Sequence, residues 1–453
     1  MKKLICICLL LCTVFAFFGC EAEPASQPVP PGETTGQDAA TTAGQAGFDP
    51  VDSVLTLGDM TGVYGALFGN GRVIDIAITL SETDLAAMNA SPVSGTYYPA
   101  NITVNGIAAE RVGITPEDDL SLSLLAQSDS TRYSLRVKAD CYTEGQTLNG
   151  LDELVLNNLF GDPTYMRAYL YGLAVAHIGG TVPFMAYANV TVNGTPAGLY
   201  LCTEAAADSY AERIGGQGSS VTETDELPQA VYDALASGEE EAIGALLDVD
   251  SFLRYFAADA YLGNYHGYLD AEVHGYALVS SNGKYIYTEG NAGLAMGAYH
   301  NDGGRSVTAD IYSPVFLCDL GDRPLLSGLL ECDTYCDTYL DYIEDLVYYF
   351  EDPEALTASI DALIGTYVQE DATAFYSYED YRSGIVFSGV ELSELLGDPG
   401  NVLVDPIGGD DEPDDVSPVG PEDPTPESYA QVKGMVDYIH QRTTSVVGQL
   451  GLS

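Results

Sequence analysis

Large apolar residues occupy every second position of Val73–Leu80, VIDIAITL, the first regular pattern in the chain: Ile74, Ile76, Ile78 and Leu80. Successive side chains of a strand point to opposite faces, so the apolar positions of this segment would share one buried face. Ser81 follows directly, with an acidic residue, Asp84, three positions further on, which is typical of a helix N-terminus. The pattern predicts a half-buried strand followed by a short helix that Ser81 caps.

Two Asn-Gly pairs predict tight β-hairpins, because Asn and Gly tolerate the positive φ angles that a two-residue turn requires. Asn105-Gly106 joins two strand-like segments, and Asn193-Gly194 joins two more. The last of these strands ends at Glu204, an acid that closes an otherwise apolar run. Glu204 is therefore expected either to pair with a cation or to be exposed.

A further strand is predicted over Arg132–Asp140, and it carries an unusual set of cations for this chain. Arg132, Arg136 and Lys138 all occupy even positions, which would place them on one face of the strand. Two interpretations are open. The face is either a platform for an anion such as phosphate, or a surface strand whose cations neutralise neighbouring acids.

Helical periodicity dominates the second half of the chain. Asp162-Pro163 is expected to start a helix that ends at Gly179-Gly180, with Asp162 as its N-cap. Another helix is expected from Asp248, with aromatic residues at helical spacing, and further helices with tyrosine stripes follow it. A closing amphipathic helix within Tyr429–Leu450 is expected to pack on them. The predicted fold class is α+β, with a β-rich N-terminal half and a helix-rich C-terminal half.

The 453-residue chain is strongly acidic, with 16 Lys+Arg against 67 Asp+Glu and a formal net charge of −51. Such a field repels nucleic acid and anionic membrane surfaces, because phosphate binding needs clustered Lys and Arg. We therefore expect no nucleic-acid partner. The charge suits solubility in a salty exterior or weak cation binding.

Residues 1–19 have the pattern of a secretory signal peptide, with Lys2-Lys3 followed by an apolar run that is too short to span a membrane. The segment FFGC resembles a bacterial lipobox, so cleavage would leave Cys20 as a lipidated first residue. An ordinary signal peptide and an uncleaved anchor are the alternatives. We expect an extracytoplasmic bacterial lipoprotein that contacts the membrane only through its N-terminal lipid.

Composition divides the remainder of the chain. Residues 20–47 are rich in Pro, Gly, Thr and Ala and predict a disordered tether. Residues 48–404 form the predicted folded domain. Residues 405–427 predict an acidic, Pro-rich disordered loop, and residues 428–453 the C-terminal helix that packs on the domain.

Cysteines and common catalytic motifs supply little chemistry. Five cysteines lie beyond Cys20, an odd number that cannot form a complete disulfide framework, so free buried thiols are expected. Cys332 and Cys336 would share a helix face, but no second pair lies nearby in sequence to complete a zinc site. The chain contains no P-loop, GxSxG elbow, HExxH pair or EF-hand loop.

The stretch Asn264–Gly297 lies where the centre of an active site would be expected. Its one well-placed imidazole is His266, and its acids lack catalytic spacing. From residue types alone, the candidates for a site are this stretch together with Arg136, Lys138 and Glu204.

Several segments occur in a familiar order: TRYSLRVKAD, LVLNN, DPTYMR, VNGTPAGLYLCTE, GNYHGY, GLAMG and the YIHQR helix. Together they resemble the CotH spore-coat kinase family, over roughly residues 73 to 450. The resemblance implies a bilobal, atypical protein-kinase-like fold. It also implies ATP with Mg or Mn as the cofactor, wherever the cleft is still functional.

The departures from the family pattern fall on its functional motifs. The resemblance places His266 where the family has its catalytic Asp, Gly290 where a Trp lies against the adenine, and Asn291 where an Asp holds magnesium. The family's R-x-K-G-N-S-S segment, which supplies a phosphate-binding Lys, is replaced by Thr115–Ser121 with three acids. Phosphoryl transfer depends on positioning and charge neutralisation, so these losses predict a scaffold without catalysis.

Three hypotheses follow. The favoured one is a catalytically impaired pseudokinase that acts as a binding or scaffold protein at the cell surface, with a protein or surface polymer as its partner. The second is an active Ser/Thr kinase in which Arg136 or Lys138 grips phosphate, Glu204 or Asp270 takes the metal and His266 is the base. The third is a surface adhesin or carbohydrate-binding lipoprotein.

Overall fold

In the computed structural model, seven strands from the first half of the chain close into a barrel in the order β1-β2-β3-β4-β5-β7-β6. Strands β1 and β6 pair in parallel, and the other neighbours pair antiparallel. The strands are β1 (Ile74–Leu80), β2 (Tyr98–Val104), β3 (Ile107–Pro116), β4 (Leu135–Lys138), β5 (Glu153–Asn157), β6 (Met185–Val192) and β7 (Thr195–Glu204).

The structure describes residues 65–68, 71–119, 121–224, 227–271, 276–288, 292–299, 304–386 and 434–452. All of them belong to one unit, Phe48–Ser453. The predicted signal peptide, the predicted lipidation site Cys20, the predicted tether and the predicted acidic loop lie outside these ranges.

Local sequence signals determine how the barrel begins. Burial alternates along β1 as predicted, with Ile74, Ile76 and Ile78 inside. The backbone N–H of Asp84 donates to Ser81 Oγ at 3.0 Å, which confirms the predicted helix cap. Both residues of the Asn105-Gly106 turn have positive φ angles of 48° and 87°, so the predicted hairpin between β2 and β3 is confirmed.

A three-stranded sheet and most of the helices follow the barrel in sequence. The sheet has the order β10-β9-β8, with β8 (Ser220–Thr224), β9 (Tyr276–Ser281) and β10 (Lys284–Thr288). The described helices are α1 (Gly65–Phe68), α2 (Glu82–Ala90), α3 (Leu122–Leu125), α4 (Arg167–His177), α5 (Asp208–Gly215), α6 (Gln229–Ser237), α7 (Glu240–Leu246), α8 (Val249–Leu262), α9 (Arg305–Thr308), α10 (Pro324–Leu330), α11 (Asp333–Tyr349), α12 (Pro353–Glu370), α13 (Tyr378–Val386) and α14 (Met435–Leu450). The chain is thus a mixed α+β protein, as predicted.

Two large hydrophobic cores correspond to these two parts. One fills the barrel with aliphatic side chains such as Ile76 and Leu156. The other lies among the helices and the three-stranded sheet, and it is rich in buried tyrosines such as Tyr261 and Tyr339. Tyr339 of α11 is therefore core, as its helical spacing indicates, whereas Tyr348 of the same helix is 61% exposed.

The closing helix α14 packs against α8, α9, α11, α12 and α13. Its Arg442 is fully buried. The guanidinium donates to carbonyl oxygens at the ends of α8 and α9 at 2.7–3.2 Å, those of Ala260, Tyr261, Val307 and Ala309. Helix ends leave carbonyls without intrahelical partners, so Arg442 satisfies them and joins three helices.

The predicted start of α4 was wrong by four residues. The helix begins at Arg167, and Asp162 instead opens a turn in which its carboxylate accepts from the backbone N–H of Thr164. The same carboxylate accepts from the backbone N–H of Arg167 at 2.9 Å and from its guanidinium at 2.5 Å. Asp162 thus still satisfies the first residue of the helix, but from outside it.

The five cysteines of the described residues are free. Only Cys202 is buried, so the expectation of buried thiols was wrong for the other four, which are half-buried. No helix in the described ranges combines the length and hydrophobicity that a bilayer crossing requires.

Candidate functional site

A cleft of about 260 Å³ lies between strands of the barrel and elements outside it. Its barrel side is formed by the ends of β5, β6 and β7, and its opposite side by α4, α8 and the start of β9. The walls are mostly apolar, with lining residues such as Val155, Tyr171, Val182, Leu201 and Tyr255. Two of the predicted site residues, Arg136 and Glu204, line this cleft.

Arg136 is held by two carboxylates. Its Nε and Nη2 donate to the two oxygens of Glu117 at 2.7 and 2.6 Å, a bidentate pair. Its Nη1 donates to Glu153 at 3.1 Å. Burial lowers the pKa of Arg136, but the hydrogen bonds and negative charges of Glu117 and Glu153 outweigh it and raise that pKa above its ordinary value.

Lys138 lies two residues further along β4, on the same face, and donates to Glu153 at 2.5 Å. A second acid, Asp140, lies 3.6 Å from its ammonium group. The hydrogen bond to Glu153 raises the pKa of Lys138 above its ordinary value despite partial burial. Lys138 is not among the residues that line the cleft.

The predicted three-cation face does not form as expected. Strand β4 covers only Leu135–Lys138, and Arg132 precedes it outside any strand. Arg132 is 6% exposed and forms an ion pair with Asp371 at 2.7 Å. The alternation ends there because Asp371 and the ring of Tyr200 hold the arginine inside the protein. Arg136 and Lys138 are left together, and both neutralise neighbouring acids.

Glu204 is 2% exposed and pairs with a cation, the first of its two predicted alternatives. Arg213 on α5 donates to both carboxylate oxygens, at 3.1 and 2.5 Å. The guanidinium also stacks on the Phe184 ring at 4.2 Å. Burial raises the pKa of Glu204, and the Arg213 pair only partly offsets that effect.

A buried carboxyl group, Asp259, lies behind the cleft on α8. Tyr171, which lines the cleft, donates its hydroxyl to Asp259 at 2.5 Å, and the Asn264 amide donates to it at 2.9 Å. Burial raises the pKa of Asp259 to about 7, although these two hydrogen bonds act in the opposite direction. This network connects the cleft to the turn that carries His266.

His266 is half-buried in the turn after α8 and is not among the residues lining the cleft. Its ring centre lies 6.2 Å from that of Tyr299, whose hydroxyl donates to Asp270 at 2.5 Å. Gly290 and Asn291 lie outside the described residues. Their neighbour Ala292 lines the cleft.

The described residues do not fit a nucleotide with a divalent metal. Among the described lining residues the only cation is Arg136, and two carboxylates already bind it. No group of three His, Cys, Asp or Glu side chains in the described part of the chain could hold a metal ion. A triphosphate needs both kinds of partner, so no step through ATP is derived for this cleft.

The sequence does not indicate which residues pair with the candidate site residues. Glu153 and Arg213 were not singled out, although cations are so scarce in this chain that each would be expected to meet an acid. Asp259 carried no signal, because its helical spacing is also that of a core position. Arg442 lies within the YIHQR segment, but the carbonyl groups that it binds are distant in sequence, so its contacts with them could not be predicted.

Comparison with known proteins adds one match. A family model described as CotH kinase protein matches residues 125–235 and 216–446, well over half of the chain. No curated protein matches the sequence.

Proposed function

The chain belongs to the CotH kinase family, and on that premise we propose that it is a binding protein that has lost phosphoryl transfer. In this proposal the barrel and the helical part are the two lobes of a kinase-like fold, and the cleft between them holds a partner instead of a nucleotide. Lipidation at Cys20 would present the domain outside the membrane. The partner would be a protein or a polymer of the cell surface.

The main support for this proposal is that two carboxylates already bind Arg136. Phosphoryl transfer requires positive charge against the transferred phosphate that exceeds the negative charge of the carboxylates around it, from cationic side chains and metal ions. Here Glu117 and Glu153 already bind the Arg136 guanidinium, and Glu204 is bound by Arg213. The residues that the family resemblance places at the catalytic base and the metal, His266 and Asn291, weaken the case for transfer further.

A thermal-shift titration with ATP in the presence of Mg²⁺ or Mn²⁺ tests the proposal. We expect no shift in Tm at millimolar nucleotide, because a ligand stabilises only in proportion to its binding to the folded state. A metal-dependent rise in Tm would contradict a cleft without nucleotide.

A radiolabel assay with γ-labelled ATP distinguishes the active-kinase alternative. We expect no label on the protein itself or on a Ser-rich substrate with either metal. Label that appears with the wild type and disappears in His266→Ala would establish transfer with His266 as its base, and would overturn the proposal.

A further inference from the structure

We propose that Glu117 is a built-in anion that occupies the Arg136 subsite of the cleft, and that it makes the cleft reject phosphates in favour of ligands without negative charge. This inference rests on the proposed function, because it concerns what the cleft binds. It assigns Glu117 a role in specificity.

The geometry of the pair is that of an occupied anion site. A guanidinium presents two parallel N–H donors that match a carboxylate or a phosphate equally well. In this cleft both oxygens of Glu117 take the Nε and Nη2 donors of Arg136, at 2.7 and 2.6 Å. The Nη1 donor is taken by Glu153. A phosphate could therefore pair with the Nε–Nη2 edge of Arg136 only by displacing the Glu117 carboxylate.

The backbone holds Glu117 in place for this contact. Residue 117 follows β3 directly, and its N–H donates to the carbonyl of Ser134 at 2.8 Å, beside the strand that carries Arg136. The two strands are in register through Thr115 and Arg136. An anion attached to the same sheet competes at an effective concentration of about millimolar or more. Free phosphate would have to exceed that value to displace it.

The remaining charges of the lining also disfavour an anion. The described lining contains three acids, Glu117, Asp119 and Glu204, against one cation. Asp119 is already bound by the backbone N–H groups of Ser121 and Leu122, at 2.9 and 3.1 Å. With these charges paired and the walls apolar, the cleft suits an apolar group with no negative charge.

Isothermal titration with inorganic pyrophosphate, without metal, tests the inference on the full chain. Glu117→Gln keeps the size of the side chain but removes its charge, so we expect this variant to bind pyrophosphate about tenfold or more tightly than the wild type. Asp119→Asn is the matched control, since it removes one negative charge from the same cleft without touching Arg136. We expect it to gain much less affinity than Glu117→Gln.

The double variant Glu117→Gln/Arg136→Gln identifies the subsite, and it should lose the gained affinity. The inference is overturned if Glu117→Gln, with an unchanged circular dichroism spectrum, binds no better than the wild type. It is also overturned if Asp119→Asn gains as much, or if the double variant keeps the gain. Binding of ATP and metal by the wild type would instead contradict the proposed function, so the two failures are distinguishable.

Discussion

Burial gives Asp259, the carboxyl group behind the cleft, an unusually high pKa. It is 1% exposed, and its carboxyl group receives hydrogen bonds from Tyr171 and Asn264. Burial disfavours the charged form and raises the pKa to about 7 from an ordinary value of 3.8. The native protein therefore retains a proton that the unfolded chain has already released at pH 5 or 6.

Stability should consequently fall as the pH rises between about 4 and 7, and the variant Asp259→Asn should lack this fall. Between the two pKa values the folded state binds one more proton, which gives a slope of about −1.4 kcal/mol per pH unit. Above pH 7 the slope should vanish, because both states are then deprotonated at this position. Urea denaturation of both proteins at pH 5, 6, 7 and 8 measures the difference.

Tyr171→Phe provides a second check on the same group. It removes a hydrogen bond that lowers the pKa of Asp259, so the fall in stability should continue to higher pH than in the wild type. Parallel profiles for wild type and Asp259→Asn would show that this carboxyl group does not carry the effect.

At the scale of single elements, helix α2 offers a clean test of local sequence. Ser81→Ala removes the side chain that accepts the N–H of Asp84 and should lower the free energy of unfolding by about 1 kcal/mol. Thr83→Ala, at an exposed position of the same helix, is the control and should change it little. Urea midpoints report both effects. An equal loss in the two variants would mean that the cap contributes nothing.

Elements determined by neighbouring residues were predictable from the sequence. The Asn105-Gly106 and Asn193-Gly194 turns, the Ser81 cap and the start of α8 at Asp248 all depend on residues within four positions. The start of α4 was mispredicted because Asp162 binds the first residue of the helix without being its N-cap. Its carboxylate satisfies the helix through Arg167 five residues later, instead of by capping at its own position.

The chemistry of the site could be predicted only in part, because it depends on register and on distant pairs. The sequence indicates Arg136, Lys138 and Glu204 as candidate site residues. The pairing of Arg136 with Glu117, however, follows from how β3 lies beside β4. The pairing of Arg132 with Asp371 joins residues 239 positions apart. Local periodicity contains no information on such a contact, so Arg132 was wrongly placed on the face of Arg136.

At the scale of the whole molecule, Asp371 connects the helical part to the barrel. This residue directly follows α12 as its C-cap. Its carboxylate binds Arg132 at 2.7 Å and the backbone N–H of Leu199 in β7 at 3.0 Å. Gly198 lies against it with φ +105°, and a Cβ at that position would come within 2.4 Å of the carboxylate. The barrel backbone is thus shaped to receive this one side chain.

Asp371→Ala should therefore uncouple the barrel from the helical part. Removing one partner of a buried ion pair leaves the charge of Arg132 uncompensated, at a cost of about 3–5 kcal/mol. Because the pair joins the two parts, we expect the barrel, which has the smaller core, to open before the helices in urea. Hydrogen exchange followed by mass spectrometry should then separate peptides of β2 and β3 from those of α11, whereas in the wild type we expect them to exchange together.

Asp361→Ala is the matched control for this effect. Asp361 lies on the same helix and pairs with Arg382 at 2.5 Å, but both residues belong to the helical part. Its loss should lower stability without separating the two groups of peptides. If Asp371→Ala also left the peptides exchanging together, the cohesion of the two parts would rest on the apolar contacts around Phe375, which packs against both cores.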